Sequence, residues 1–392
     1  MMEYDKLISG AAAGMRPSGI RKFFDIAAEM KDCISLGVGE PDFKTPWAIR
    51  EAGIASLEKG RTWYTSNAGL KELREEICRY LRRRFGLEYT ADETLVTVGG
   101  SEAIDLCIRS LVNPGDEVII PEPCFVCYEP ITTLTGGVAV PIALQAADKF
   151  KLTADQLRAA ITPKTKLLVL PFPNNPTGGI MTREELEPIA RVLRETDVIV
   201  LSDEIYAELT YGDVRHCSIA ALPGMKERTV VVNGFSKAYA MTGWRLGYAC
   251  GPKPVIDVMT KVHQSAIMCA PTTSQYAAVT ALKNCDADIE RMRQEYDARR
   301  RFLVARLNKL GLTCFEPEGA FYAFPSIAAT GMTSDAFATG LLNSQRVAVV
   351  PGTAFGATGE GHVRISYAYS LNHLAEALRR IELYLKELGV RA

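Results

Sequence analysis

Near the middle of the chain, GFSKAYAMTGWRLGY brings together a hydroxyl, an amine and a guanidinium: Ser236, Lys237 and, eight positions on, Arg245. The apolar run TVVVNGFS leads into the lysine. Lys237 therefore stands just beyond a buried strand, where partial desolvation lowers its pKa and lets it form a Schiff base with a carbonyl. Ser236 and Arg245 are a donor and a fixed cation of the kind that suits a phosphate dianion. Taken alone, the segment reads equally as a surface lysine near a structural arginine. Asp203 and Tyr206 follow another apolar run in LSDEIYAEL. A carboxylate leaving a buried strand needs a partner; a protonated pyridine nitrogen would serve, and so would a helix cap or an arginine. PFPNNPTGG fixes a turn with Pro and Gly and projects the amide of Asn175. In GGSEAIDL two glycines, Gly99 and Gly100, let the backbone turn tightly, and Ser101 is expected to open a helix whose free N–H groups can hold a phosphate; an ordinary turn with Ser101 as N-cap is the alternative.

Such groups must be carried by elements that bring them together. Short runs rich in β-branched and apolar residues alternate with amphipathic stretches, the pattern of βαβ units. Strands are expected over 94–100, 116–123, 137–144, 166–173, 197–205, 229–236 and 246–251. Runs such as LLVL and VIVL are apolar at successive positions, which implies burial on both faces. The expected fold is α/β, a large domain with a seven-stranded, mostly parallel, doubly wound sheet. Helical periodicity marks 70–85 and 182–195, the latter opening with Thr182 and Glu185 in capping-box spacing. From about residue 286 a long charged helix, short strands and a final helix ending near Leu388 suggest a smaller α+β domain. The expected division is 1–46 as an N-terminal segment packing with the small domain, 47–285 as the large domain and 286–392 as the small one. In open α/β sheets ligands bind beyond the carboxyl ends of the strands, which is where Lys237, Asp203, Asn175 and Ser101 fall.

Forty-five basic against 46 acidic side chains leave a formal net charge of −1, so no global field favours nucleic acid or anionic lipid. A small-molecule partner is expected. No apolar run reaches the roughly 18 residues of a membrane helix, and the opening MMEYDKLISG lacks the layout of a secretory signal, so a cytoplasmic location is expected. The ten cysteines are scattered from Cys33 to Cys314, unlike a disulfide framework. The one CxxC, Cys124 to Cys127, has no second pair or nearby His to complete a metal set, and the four histidines show no ligand spacing; no metal site is expected.

In order and spacing, PNNPTG, SDEIY and SKAYAMTGWRLGY together resemble the class I and II aminotransferases, the fold-type I pyridoxal-phosphate enzymes, and the resemblance runs over nearly the whole chain. It implies pyridoxal 5'-phosphate as cofactor, with Lys237 as the Schiff-base lysine and Asp203 as the partner of the pyridine nitrogen. Asn175 and Tyr206 would contact the cofactor's 3′ oxygen. Gly100, Ser101, Ser236 and Arg245 would bind its phosphate. Phe125, in PEPCFVCY, falls where the family stacks an aromatic ring, usually Tyr or Trp; Phe keeps the stacking face. The cysteines of the CxxC then simply flank the stacking residue. In SLGVGEPDF, Gly39 falls where the family brings backbone close to substrate. In HVRISYA, Arg364 falls where it clamps the substrate α-carboxylate, and the alternation of Arg364 with Val363, Ile365 and Tyr367 gives it a face of its own. Tyr64 matches a family tyrosine that reaches the phosphate of the neighbouring subunit, implying a homodimer with shared sites.

The reaction so implied is a ping-pong transamination from an L-amino acid (aspartate, aromatic or small neutral) to a 2-oxoacid such as 2-oxoglutarate. A β-eliminating C–S lyase on the same fold is the nearest rival. A cofactor-binding regulator would carry a helix-turn-helix before SGAAAGMRPSGIRKF, for which no room is expected. A nicotinamide-binding reading lacks a complete GxGxxG. Dicarboxylate-specific relatives often carry an arginine in the stretch matching KVHQSAIMCAP or a lysine beside the phosphate-binding glycines. Here only Lys261 and His263 are basic in the first, and Ser101 stands in the second. Arg21 could replace them or be a surface charge on an amphipathic helix.

Overall fold

The computed structural model describes residues 2, 4, 7–15 and 30–390. Arg21 lies outside the described residues. In chain order the strands are β1 (Ile34–Ser35), β2 (Thr94–Thr97), β3 (Glu117–Glu122), β4 (Val138–Ala143), β5 (Thr165–Leu170), β6 (Ile199–Asp203), β7 (Thr229–Gly234), β8 (Gly247–Cys250), β9 (Tyr322–Ala323), β10 (Val347–Ala348), β11 (Val350–Pro351) and β12 (Val363–Ser366). The seven expected long strands form one sheet in the order β2-β8-β7-β6-β5-β3-β4, in which only β8 runs antiparallel to its neighbours. Alternate residues explain the two-sided burial. Ile119, Leu168, Leu170 and Val200 enter the apolar cluster on one face, and Val118, Ile120, Leu167, Val169 and Leu201 enter the cluster on the other. The fold is the doubly wound α/β sheet that the sequence predicts.

The helix expected over 182–195 spans Arg183–Arg194, and its capping box forms as read: the Thr182 hydroxyl accepts from the Glu185 N–H while the Glu185 carboxylate accepts from the Thr182 N–H. The charged helix runs Asp286–Lys309 and the final one Leu371–Glu387. Beyond residue 286, β11, β12 and β9 make a three-stranded antiparallel sheet, and β10 pairs in parallel with β1 from the N-terminal stretch.

The expected strands run past the observed ones mainly at their carboxyl ends. Residues 98–100, 171–173, 204–205 and 235–236 leave the sheet rather than extend it. Their apolar character resembles that of the strands, because these loops are themselves sealed under helices and the C-terminal elements. They are also the segments that line the cavity described next.

Candidate active site

One cavity of about 650 Å³ opens at the carboxyl ends of the parallel strands, and Gly39, Gly100, Ser101, Phe125, Asn175, Asp203, Tyr206, Ser236, Lys237, Arg245 and Arg364 all line it. Of the site residues expected from sequence within the described chain, only Tyr64 stands outside. Its ring is 75% exposed on the loop after the helix Trp47–Glu58.

Lys237 follows β7, and its Nζ donates to the Gly39 carbonyl at 2.6 Å. Burial, together with the nearby Arg364 and Arg245 cations, pulls its pKa down to about 8, against a smaller upward pull from Glu40. A substantial neutral fraction at physiological pH makes the amine a nucleophile and a base. Gly39 allows the close approach: a Cβ there would lie 2.7 Å from the Tyr322 hydroxyl.

Asp203 ends β6 and is 7% exposed. Burial raises its pKa to about 6, although hydrogen bonds from the Tyr128 hydroxyl (2.7 Å) and the Ile205 N–H (3.2 Å) hold it down. Both donors are neutral, so among the described residues no contacting cation compensates the charge they surround. Tyr206, three residues on, shares a 2.8 Å hydrogen bond with Tyr322, whose ring stacks edge-on against it.

Arg364, on β12, is 2% exposed, and its neighbours Val363 and Ile365 pack into the core as their alternation predicts. Its guanidinium donates to the Asn175 side-chain oxygen at 2.8 Å and to the Gly37 carbonyl, and lies over the rings of Tyr322 and Phe355 at 4.5 and 4.8 Å. Its Nε is buried without a partner among the described residues. Burial pulls the pKa of this cation below its ordinary value. A buried guanidinium whose hydrogen-bond partners among the described residues are all neutral is poised for an anion.

At the other end of the cavity the helix Gly100–Leu111 begins, with Gly99 as its N-cap at φ +80°. The helix therefore opens one residue earlier than expected, and Ser101 does not cap it. The reason is local: the left-handed turn at Gly99 already brings Gly100 into the helix, and the Glu102 carboxylate folds back onto the Val98 N–H. Arg245, itself in the left-handed region at φ +51°, packs its guanidinium against Gly99, where a Cβ would come within 2.8 Å of Nη2. Free N–H groups at a helix start beside an arginine and Ser236 make an anion site.

Taken together, the cavity offers an amine of depressed pKa, a buried anion, a buried cation and an anion-binding helix start. That donor set fits pyridoxal phosphate with an amino acid: one end matches a phosphate, Asp203 a protonated ring nitrogen, and Arg364 a carboxylate. The family model "Aminotransferase class I and II" matches residues 31–381.

The chain belongs to the class I and II aminotransferase family. Its similarity to the Bacillus subtilis protein named "Putative aminotransferase YugH" is 57% identity over 95% of this chain and 96% of that one. An aspartate aminotransferase of Pyrococcus abyssi is 47% identical over 95% of this chain and 97% of its own length. Among solved structures, an aromatic aminotransferase from Pyrococcus horikoshii superposes with a TM-score of 0.90 at 45% identity, covering 95% of this chain and all of that one. This chain is accordingly an aminotransferase, a member of a family that uses pyridoxal phosphate.

Three further residues of this aminotransferase, Tyr128, Tyr322 and Glu40, line the site without having been singled out in sequence. Tyr128 sits three positions after Phe125, and its only signal was an aromatic beside the stacking residue. Tyr322 lies in the apolar stretch GAFYAFP, where a tyrosine among core aromatics carries no motif. Glu40 lines the cavity mouth and accepts from the Thr242 hydroxyl at 3.3 Å. His263, fully buried, lies 2.8 Å from Glu102 and thus behind the helix start, so it does not reach the cavity; Lys261 is exposed. Cys124 and Cys127 are free thiols that burial pushes well above the ordinary cysteine range, which makes them inert rather than redox-active.

Proposed function

We propose that the cavity binds pyridoxal 5'-phosphate and transfers the amino group of an L-amino acid (aspartate, aromatic or small neutral) to a 2-oxoacid, with 2-oxoglutarate as acceptor, in a ping-pong cycle. The observation that carries this reading is the convergence of Lys237 with two buried groups, Asp203 and Arg364, that have no contacting counter-ion among the described residues, on one cavity. Gly100, Ser101, Ser236 and Arg245 would hold the phosphate, Phe125 would cover the ring, and Asn175 and Tyr206 would bind the 3′ oxygen. Asp203 would keep the ring nitrogen protonated. When bound, the cofactor supplies an electron sink for the charge left at a substrate Cα.

The chain's own groups do the rest. Arg364 takes the substrate carboxylate in a bidentate pair and so fixes the Cα–H bond relative to Lys237, with Gly39 leaving room for the substrate. Lys237 Nζ removes the Cα proton as general base. Tyr206 Oη is hydrogen-bonded to Tyr322 Oη, and with Tyr322 as the donor of that bond the Tyr206 hydroxyl keeps its own proton to donate toward the cavity. The tyrosine, phenylalanine and isoleucine side chains that line the cavity would lower the local polarity once a ligand fills it and so strengthen both charge pairs.

The range of donors is supported by relatives named for aspartate and for aromatic amino acids. The enzyme would act as a cytoplasmic homodimer, with Tyr64 of the partner subunit reaching the phosphate; the exposed rings of Trp63 and Tyr64 support such a role, and ten free cysteines support a reducing compartment. The units 1–46, 47–285 and 286–392 would then be an N-terminal segment, a cofactor domain and a small domain. Pairing of β1 with β10 supports joining the first to the third.

A panel of amino donors added to the loaded enzyme without acceptor tests the reading. Stoichiometric conversion of the bound cofactor to its amine form, with release of one 2-oxoacid, is expected. Continued release of pyruvate and ammonia from a cysteine conjugate would contradict it in favour of β-elimination.

A further inference from the structure

We propose that Tyr128 is a positioning residue of this site, whose hydroxyl keeps the Asp203 carboxylate ionised and fixes the plane in which it faces the cavity. What this means for catalysis rests on the reading of Asp203 as the ring-nitrogen partner; the effect on Asp203 itself does not.

Asp203 is surrounded by few groups that can influence its charge. From its own turn come Glu204, which opposes ionisation, and Tyr206. From the loop after β7 comes Lys237, which favours ionisation from a distance. From the segment after β3 come Cys127 and Tyr128, and Cys127 is a half-buried thiol whose ionisation its surroundings oppose. Tyr128 is the side chain that hydrogen-bonds the carboxylate directly, at Oδ2, while the Ile205 N–H takes Oδ1. Two donors on two oxygens leave the carboxylate no free rotation.

The phenol suits this task. It is 1% exposed at the start of the helix Tyr128–Leu134, and its ring meets Phe125 edge-on, with centroids 6.2 Å apart at 81°. Phe125 itself faces the cavity, so a ring seated on Phe125 would fix Tyr128 as well. Burial and the Asp203 charge drive the phenol's own ionisation far above the working range, so Tyr128 remains a donor throughout it. A phenol that cannot ionise is no general acid or base, which leaves orientation and charge stabilisation as its work. Burial already brings Asp203 to about 6, so loss of one donor is enough to leave much of it protonated at neutral pH.

Tyr128→Phe keeps the ring and its packing. In the cofactor-free chain, infrared difference spectra recorded across a pH titration show a protonated carboxyl band, assigned by its disappearance in Asp203→Asn. Its midpoint is expected to rise in Tyr128→Phe by roughly one to two pH units, the size of losing a hydrogen bond to a charged acceptor. In the loaded enzyme the acid limb of kcat/KM is expected to move the same way. Global replacement of tyrosine by 3-fluorotyrosine, which strengthens each phenol as a donor, should lower the midpoint and gives a second reading should Tyr128→Phe not fold. A midpoint that moves in neither case overturns the proposal. A midpoint that moves while the acid limb stays in place supports it and counts instead against Asp203 as the ring-nitrogen partner.

Discussion

At the Gly99–Ser101 end of the cavity the binding groups are main-chain N–H groups at a helix start and side chains in reach of solvent: Ser101 and Arg245 are both exposed. Elsewhere in the cavity, Arg364 and Asp203 are 2% and 7% exposed and held by Asn175, Gly37, Tyr128 and the Ile205 N–H. The first design draws on groups that any helix start supplies and that water solvates when no ligand is present. The second holds two buried charges among neutral partners, an arrangement that costs stability until an ion of opposite sign arrives. The difference separates where the molecule anchors a ligand from where it handles charge during a reaction.

The buried charges should therefore dominate mutational effects. In Arg364→Ala the substrate carboxylate loses a desolvated bidentate partner, a loss of about 3–4 kcal/mol. A fall in kcat/KM of roughly 10²–10³-fold follows, measured with the same donor at saturating cofactor. A fall below tenfold would place the carboxylate elsewhere.

Next in size is a gain rather than a loss. The folded-state pKa of Asp203, about 6, lies above the ordinary aspartate value of 3.8. The folded chain thus binds this proton more tightly than the unfolded one, and the stability so contributed is full below pH 4 and lost as pH rises through 6. At pH 7.5 the ionised, buried carboxylate costs about 3 kcal/mol. Asp203→Asn should raise the melting temperature of the cofactor-free protein at pH 7.5, and the gain should shrink as pH falls from 7 to 4. A gain independent of pH would assign it to packing, not to charge.

Much of this contrast could be read in the sequence, and what could not has physical causes. Lys237, Asp203, Asn175 and Arg364 each follow or interrupt an apolar run, so their polar character stands out against a buried background. Strand cores at Leu167–Leu170 and Val230–Val232 were equally plain. The strand ends were not, because residues such as Phe172 and Phe235 are as buried in loops as they would be in strands. Ser101 was misplaced by one residue since the chain's turn is made by Gly99, whose φ no sequence pattern states. Tyr128 and Tyr322 were missed because a tyrosine in an aromatic stretch looks like core until its hydroxyl is seen to meet Asp203 or Tyr206.

The exposed end should give the smallest effect. Arg245→Gln removes one charged donor but leaves the helix start intact, so the affinity of the cofactor-free protein for inorganic phosphate, followed by calorimetry, should fall about tenfold. Stability should be nearly unchanged. A loss as large as that of Arg364→Ala would erase the distinction between the exposed and the buried groups.

The claim on which all of this depends is that Lys237 is the amine that holds the cofactor and moves the proton. Borohydride treatment of the loaded enzyme, followed by peptide mass mapping, tests it most directly. The account predicts that the cofactor is fixed to the peptide containing Lys237, and that Lys237→Ala shows neither that adduct nor turnover. An adduct on another lysine, or full turnover by Lys237→Ala, would contradict it.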